Sequence, residues 1–215
     1  VTLVGTIFHL AWQEISYSIS EENNKTEVYI SGLKAFGYVI SICCSIILPL
    51  IKCIFPIFIG SAFAEAANFV PYYYLYIYFF MINGFMYNVL SAENETNKLF
   101  AGKLVGTVVL LLLICLLLPK LEIIAIPVSI VLASAVEYSF LRVYLHRKHN
   151  IKFFNHSLII SIIMYLLGCM VYVKFDIVSN GIWLLFAFAI TIFVIYLQNK
   201  KIVKAVLKTT IHKKA

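Results

Sequence analysis

Few side chains in this sequence carry usable chemistry, and they stand out because their surroundings are apolar. Lys52 lies between Pro49 and Pro56 in a long hydrophobic run. Glu14 follows Trp12 and Gln13, and Glu137 sits in a stretch that holds almost no other charge before Arg142. Asn83 and Asn88 interrupt a third such stretch. An ammonium held inside an apolar helix can bind phosphate or acidic sugar oxygens, and a carboxylate there can carry a proton or meet a cation. Trp12, Gln13, Asn83 and Asn88 can line a hydrophilic lumen, although buried asparagines more commonly bond to neighbouring helices. The prolines free backbone carbonyls and kink a helix, as happens where helices border a cavity. Each residue also has a plainer use. Lys52 is only about seven residues from the end of its run and can snorkel outward along its own stem. Glu14 can sit at an interface, and Glu137 can pair with Arg142 or with a base on another helix.

A second cluster is aromatic. Pro71 is followed by Tyr72, Tyr73, Tyr74, Tyr76 and Tyr78. Tyrosines at the edge of an apolar run form the belt that anchors a helix at a membrane interface, and the same rings can stack on sugar faces. Other chemistry is missing from the pattern. The five cysteines all fall in apolar stretches with no ligand spacing, so they read as small packing residues and no metal centre is expected. No phosphate-binding loop, dinucleotide fingerprint or nucleophile–histidine pair occurs, so neither an enzyme nor a cofactor is expected. Three of the five histidines, His146, His149 and His156, belong to a basic connector.

The elements that must position these groups follow from composition. Hydrophobic residues make up 62 % of the 215, charged residues 13 %, and mean hydropathy is +0.95. The sequence predicts an all-α, polytopic transmembrane chain with seven spans at 1–20, 35–59, 72–92, 100–118, 123–144, 157–174 and 181–198, each near the roughly 20 residues that cross a bilayer. Lysine and arginine then set the orientation. Lys25, Lys34, Lys98, Lys103, Arg142, Arg147, Lys148 and Lys152 fall on alternate connectors, and six lysines fall in the tail 199–215. Only Lys120 and Lys174 fall on the opposite side. The positive-inside rule places the first group and the C-terminus in the cytoplasm. The net charge of +7 therefore predicts attraction to anionic lipid headgroups and not to nucleic acid. The tail carries apolar residues at helical spacing, which fits either an amphipathic surface helix or a solvated end. Three glycosylation-type triplets, at Asn24, Asn94 and Asn155, fall on the cytoplasmic side and read as chance matches. Spans four and seven are nearly devoid of polar groups and are expected to face lipid, whereas spans one, two, three and five hold the polar residues. The chain opens inside an apolar stretch at Val1, which predicts the C-terminal part of a longer protein.

Four stretches together resemble the C-terminal half of the bacterial polysaccharide flippases. These are the O-antigen and lipid-linked oligosaccharide transporters within the multidrug/oligosaccharidyl-lipid/polysaccharide exporter superfamily. The stretches are Phe8 to Glu14, with its Ala11-Trp12-Gln13 turn; 49–67, with Pro49, Pro56, Gly60 and its alanines; Val70-Pro71; and 119–148, ending in a basic connector. Glu14 stands where that family usually carries proline. The resemblance implies the C-terminal bundle of a two-bundle flippase fold in the bacterial inner membrane, with an N-terminal bundle of the same protein completing a central cavity. It implies alternating-access transport of an undecaprenyl-pyrophosphate-linked oligosaccharide, in contact with membrane lipids and polysaccharide assembly machinery. Lys52, Trp12, Gln13, Asn83 and Asn88 would then face the substrate, and Glu14 and Glu137 would couple an ion or proton. A drug or cation exporter of the same superfamily and a non-transporting membrane scaffold are the competing expectations.

Overall fold

Apolar runs of this length satisfy their backbone groups internally only by coiling into helices. The computed structural model describes residues 2–21, 25–58, 61–150, 156–174, 178, 180–187 and 189, and among these every element is helical. The elements are α1 (Thr2–Ser18), α2 (Lys25–Phe58), a 3-10 segment (Ser61–Phe69), α3 (Val70–Ala92), α4 (Thr96–Leu121), a short 3-10 turn (Glu122–Ile124), α5 (Ala125–His149) and α6 (His156–Lys174). Two uninterrupted stretches are long and apolar enough to cross a membrane. They are Glu65–Ala92, with mean hydropathy 1.3, and Thr96–Lys148, with mean hydropathy 2.7. The second is the α4–α5 hairpin. At about 1.5 Å per residue, α4 alone is about 39 Å long, more than the roughly 30 Å of a hydrocarbon core.

Several boundaries differ from the sequence expectation. Helix α2 starts at Lys25, ten residues before the predicted span at 35, so Lys25 and Lys34 lie on a helix and not in a connector. Its first turns hold Tyr29, Leu33 and Phe36 at helical spacing, all buried; this one-sided pattern carries the helix outward beyond its apolar run. Helix α2 also continues through Pro49 and Pro56. The loop expected before span three is the 3-10 segment Ser61–Phe69. Lys98 and Lys103 belong to α4, and Arg142, Arg147 and Lys148 belong to α5. Residues 180–187 are helical where span seven was expected to begin. The rest of that span, the tail 199–215, and Asn24 and Asn155 lie outside the described residues.

Helix α3 is the axis of the bundle. Its residues Ile82, Phe85, Met86, Val89 and Leu90 recur at helical spacing and are all but fully buried. Helices α1 and α5 run parallel to α3 on separate sides, and α4 returns antiparallel along α5. Helix α6 packs along α2. Trp12 of α1 stacks on Phe85 with ring centroids 4.4 Å apart, and Phe36 of α2 stacks on the same ring at 5.8 Å. This aromatic stack joins three helices by dispersion and ring geometry. Helix α4 has the opposite character. Leu104, Val108, Leu111, Leu112, Leu116 and Leu118 are all exposed.

Candidate functional site

Two polar seams run along α3. The first faces α5. Asn83 Nδ2 donates to the Ser134 carbonyl at 3.2 Å, and one turn further the Tyr87 hydroxyl donates to Glu137 Oε1 at 2.5 Å. Lys103 Nζ of α4 donates to the same carboxylate oxygen at 2.8 Å and lies 4.3 Å from the centre of the Tyr87 ring. Glu137 is 9 % exposed and sits at the midpoint of α5, so the carboxylate is held away from water by a cation, a hydroxyl and a ring face. A charge-assisted bond and a cation–π contact offset the cost of burying it. Asn83 Oδ1 and the Ser129 hydroxyl, also buried on this side, have no hydrogen-bond partner among the described residues.

The approach of α4 depends on two glycines. A Cβ at Gly106 would come within 2.8 Å of Glu137 Oε2, and one at Gly102 within 2.9 Å of Leu141 and 3.0 Å of the Tyr87 hydroxyl. Gly102-Lys103-Leu104-Val105-Gly106 is the small-xxx-small spacing that lets membrane helices touch. It brings the backbone of α4 close enough for Lys103 to reach Glu137.

The second seam faces α1. Asn88 Nδ2 donates to the His9 carbonyl at 3.2 Å and lies 3.5 Å from His9 Nδ1. Beyond it, between α1 and the first half of α3, is a cavity of about 330 Å³ lined by Thr6, His9, Tyr73, Tyr76, Ile77, Phe80 and Met81. The tyrosine cluster is therefore divided by location. Tyr74 and Tyr78 are buried, with Tyr74 stacked on Tyr165 at 6.2 Å, whereas Tyr73 and Tyr76 border the cavity.

At one end of the bundle a short turn holds three helices together. Asn94 takes φ 57°, a left-handed geometry that asparagine tolerates, and reverses the chain between α3 and α4. The turn carries Glu93 and Glu95. Glu93 accepts from Lys25 at 2.8 Å and from Tyr29 at 3.2 Å, both on α2. Glu95 accepts from Tyr144 and Lys148, both on α5. Burial and then the Glu93 carboxylate push the Tyr29 phenol upward, so its hydroxyl stays a donor. The hydrogen bond that Lys148 donates to Glu95 raises its ammonium above its usual range.

The residues singled out in the sequence do not converge. Asn83 and Glu137 share the α3–α5 seam, and Asn88 joins the α1 seam. Trp12 is buried in the aromatic stack, whereas Gln13 and Glu14 are exposed on α1. Lys52 is on the α2–α6 side, half-buried, with its ammonium 4.9 Å from the centre of the Tyr172 ring. Tyr172 in turn donates to the Ala67 carbonyl at 2.8 Å. Lys103, Tyr87 and His9 are the functional groups that sequence reasoning passed over. The Gly102/Gly106 pair around Lys103 was the signal that could have found the first of them. Among the described residues, no three His, Cys, Asp or Glu side chains gather as a metal centre would require. Comparison with protein-family models, with characterised proteins and with solved structures gave no match for this chain.

Proposed function

We propose that this chain is one helical bundle of a multi-pass membrane transporter that moves an undecaprenyl-pyrophosphate-linked oligosaccharide across the bacterial inner membrane by alternating access. The observation that carries the reading is the separation of surfaces. Polar groups gather where α3, α4 and α5 face one another, around Glu137, while the outer side of α4 is a sheet of exposed leucines and valines. A membrane anchor or scaffold has no need for a buried carboxylate held by a lysine and a tyrosine, which costs free energy to keep in an apolar setting. The cavity between α1 and α3 adds the chemistry of sugar binding, with tyrosine and phenylalanine faces for the ring and His9 and Thr6 for hydroxyls. The carboxylate turn at Glu93 and Glu95 lies on the side the positive-inside rule assigns to the cytoplasm, as does the C-terminus. Gln13 and Glu14, exposed on α1, turn toward a second bundle of the same protein in this reading. The cation-exporter alternative rests on Glu14 and Glu137, and of these Glu137 is neutralised by Lys103.

The test is deletion of the gene in its host, with lipid-linked oligosaccharide measured in the inner leaflet. The reading expects the intermediate to accumulate and surface polysaccharide to fall. The wild-type gene should restore both, and Tyr76→Ala should not. Unchanged surface polysaccharide with gained sensitivity to cationic drugs would replace the flippase reading with the exporter.

A further inference from the structure

The two helices that wall the α1–α3 cavity carry almost no charge. Helix α3 has no Lys, Arg, Asp or Glu between Val70 and Ala92, and α1 has only Glu14. Glu14 is five positions past His9, about 140° around the helix from it, and is exposed. Among the described residues, no Lys, Arg, Asp or Glu lines the cavity. Glu137 and Lys103 pair on the α5 side of α3, and Lys52 lies over the Tyr172 ring. His9 is the lining side chain able to take up a proton near neutrality. Its ring is packed on α3: a Cβ at Gly84 would come within 2.5 Å of His9 Cε1 and 2.7 Å of Nε2. Aromatic faces take the place of charge. Tyr73, Tyr76 and Phe80 follow the i, i+3, i+7 spacing of one helix side. The Tyr76 and Phe80 rings lie 5.9 Å apart and are tilted by 43°. At about 330 Å³ the cavity is at the small end of ligand pockets, with room for roughly one or two sugar rings.

We propose that this cavity selects an uncharged sugar residue and rejects one that carries a carboxylate. The face of an aromatic ring is the negative part of its quadrupole. It packs on the C–H face of a neutral pyranose and repels a carboxylate. A carboxylate placed here would also lose its water, with no ammonium or guanidinium on the walls to replace it. Burying an unpaired ion costs far more than burying a hydroxyl that finds a partner. A neutral sugar gives up only the hydration of its hydroxyls, which the phenols of Tyr73 and Tyr76 can replace. A cation would gain contacts with the ring faces, but without a counter-charge these fall short of its desolvation. The selection presupposes the sugar-transport reading of this chain and adds which sugars pass.

The test is binding to the complete gene product in micelles at pH 8, where an ordinary imidazole is neutral. The probes are undecaprenyl pyrophosphate linked to glucose, to glucuronic acid and to the methyl ester of glucuronic acid. All three share the lipid and the pyrophosphate, so only the sugar is compared. Glucose and the ester are expected to bind within about threefold of each other, and the acid about thirtyfold more weakly or worse. Tyr73→Lys, at a position 45 % exposed, puts an ammonium on the wall and is expected to cut that preference by about tenfold. Equal binding of glucose and glucuronic acid by wild type would overturn the selection. So would an unchanged preference in Tyr73→Lys, because the discrimination would then arise outside the cavity. A separate outcome tests the reading beneath it. If no sugar-bearing probe binds more tightly than undecaprenyl pyrophosphate alone, the cavity does not take sugar and both fall. Binding of tetraphenylphosphonium that is lost in Tyr76→Ala would then replace them with the cation exporter.

Discussion

Replacing Lys103 with methionine is expected to damage the bundle more than replacing Glu137 with glutamine, although both changes break the same ion pair. The asymmetry comes from burial. The Lys103 side chain is 51 % exposed and that of Glu137 only 11 %. Without the ammonium, the carboxylate keeps the Tyr87 hydroxyl as a donor but loses its counter-charge. Breaking a buried pair in this sense costs about 3–5 kcal/mol. Glu137→Gln leaves an amide oxygen to accept from Tyr87, and the half-exposed ammonium can swing toward headgroups. The loss is then about 1 kcal/mol. The double variant removes both charges and should also cost about 1 kcal/mol, so the cycle shows a coupling of about 3–5 kcal/mol. The assay is equilibrium unfolding of the purified chain in mixed micelles, followed by tryptophan fluorescence, to which Trp12 in the buried α1–α3 stack contributes. If Lys103→Met costs no more than Glu137→Gln, Lys103 does not hold Glu137 as a carboxylate and the central seam has been misread.

Three further outcomes follow from the same geometry. Gly106→Ala puts a methyl group 2.8 Å from Glu137 Oε2, so it should destabilise by about 1–3 kcal/mol, the usual cost of overpacking. An alanine at the exposed Leu104 should cost far less in the same unfolding assay. Alkaline pH should loosen the charged end. Tyr29 and Lys148 both hold their protons more tightly when folded, so their contribution is complete below their ordinary pKa values, about 10, and is lost as pH rises through the raised values. Tyr29→Phe should make the alkaline limb of a pH–stability profile shallower. In a variant with its native cysteines replaced, Asn94→Cys should resist an impermeant thiol reagent added outside cells, and Glu122→Cys should react, because the two turns cap opposite ends of α4.

Hydropathy made α3 to α6 legible to within a few residues, because apolar length alone decides a helix in such a chain. It failed where a helix outlasts its apolar run. Tyr29, Leu33 and Phe36 were a readable periodic signal, but Lys25 and Glu27 before them and Lys34 among them masked it. The functional groups were less legible for a different reason. Lys103 counted as connector charge because nothing local ties it to Glu137, 34 positions away. That pairing exists only because two glycines bring α4 against α5. Likewise, nothing local in the sequence marks Glu93 and Glu95, whose partners lie on α2 and α5. Lys52 shows the converse. An isolated intramembrane lysine invites a functional role, and its observed partner is the Tyr172 ring.

The most direct test of the account is a flipping assay with the complete gene product reconstituted in liposomes. A fluorescent undecaprenyl-pyrophosphate-linked oligosaccharide is loaded in both leaflets, and a membrane-impermeant reagent destroys the outer fraction. The account predicts that label on the inner leaflet becomes accessible with wild-type protein and stays protected with Tyr76→Ala. Protection as complete with wild-type protein as in protein-free liposomes would contradict it.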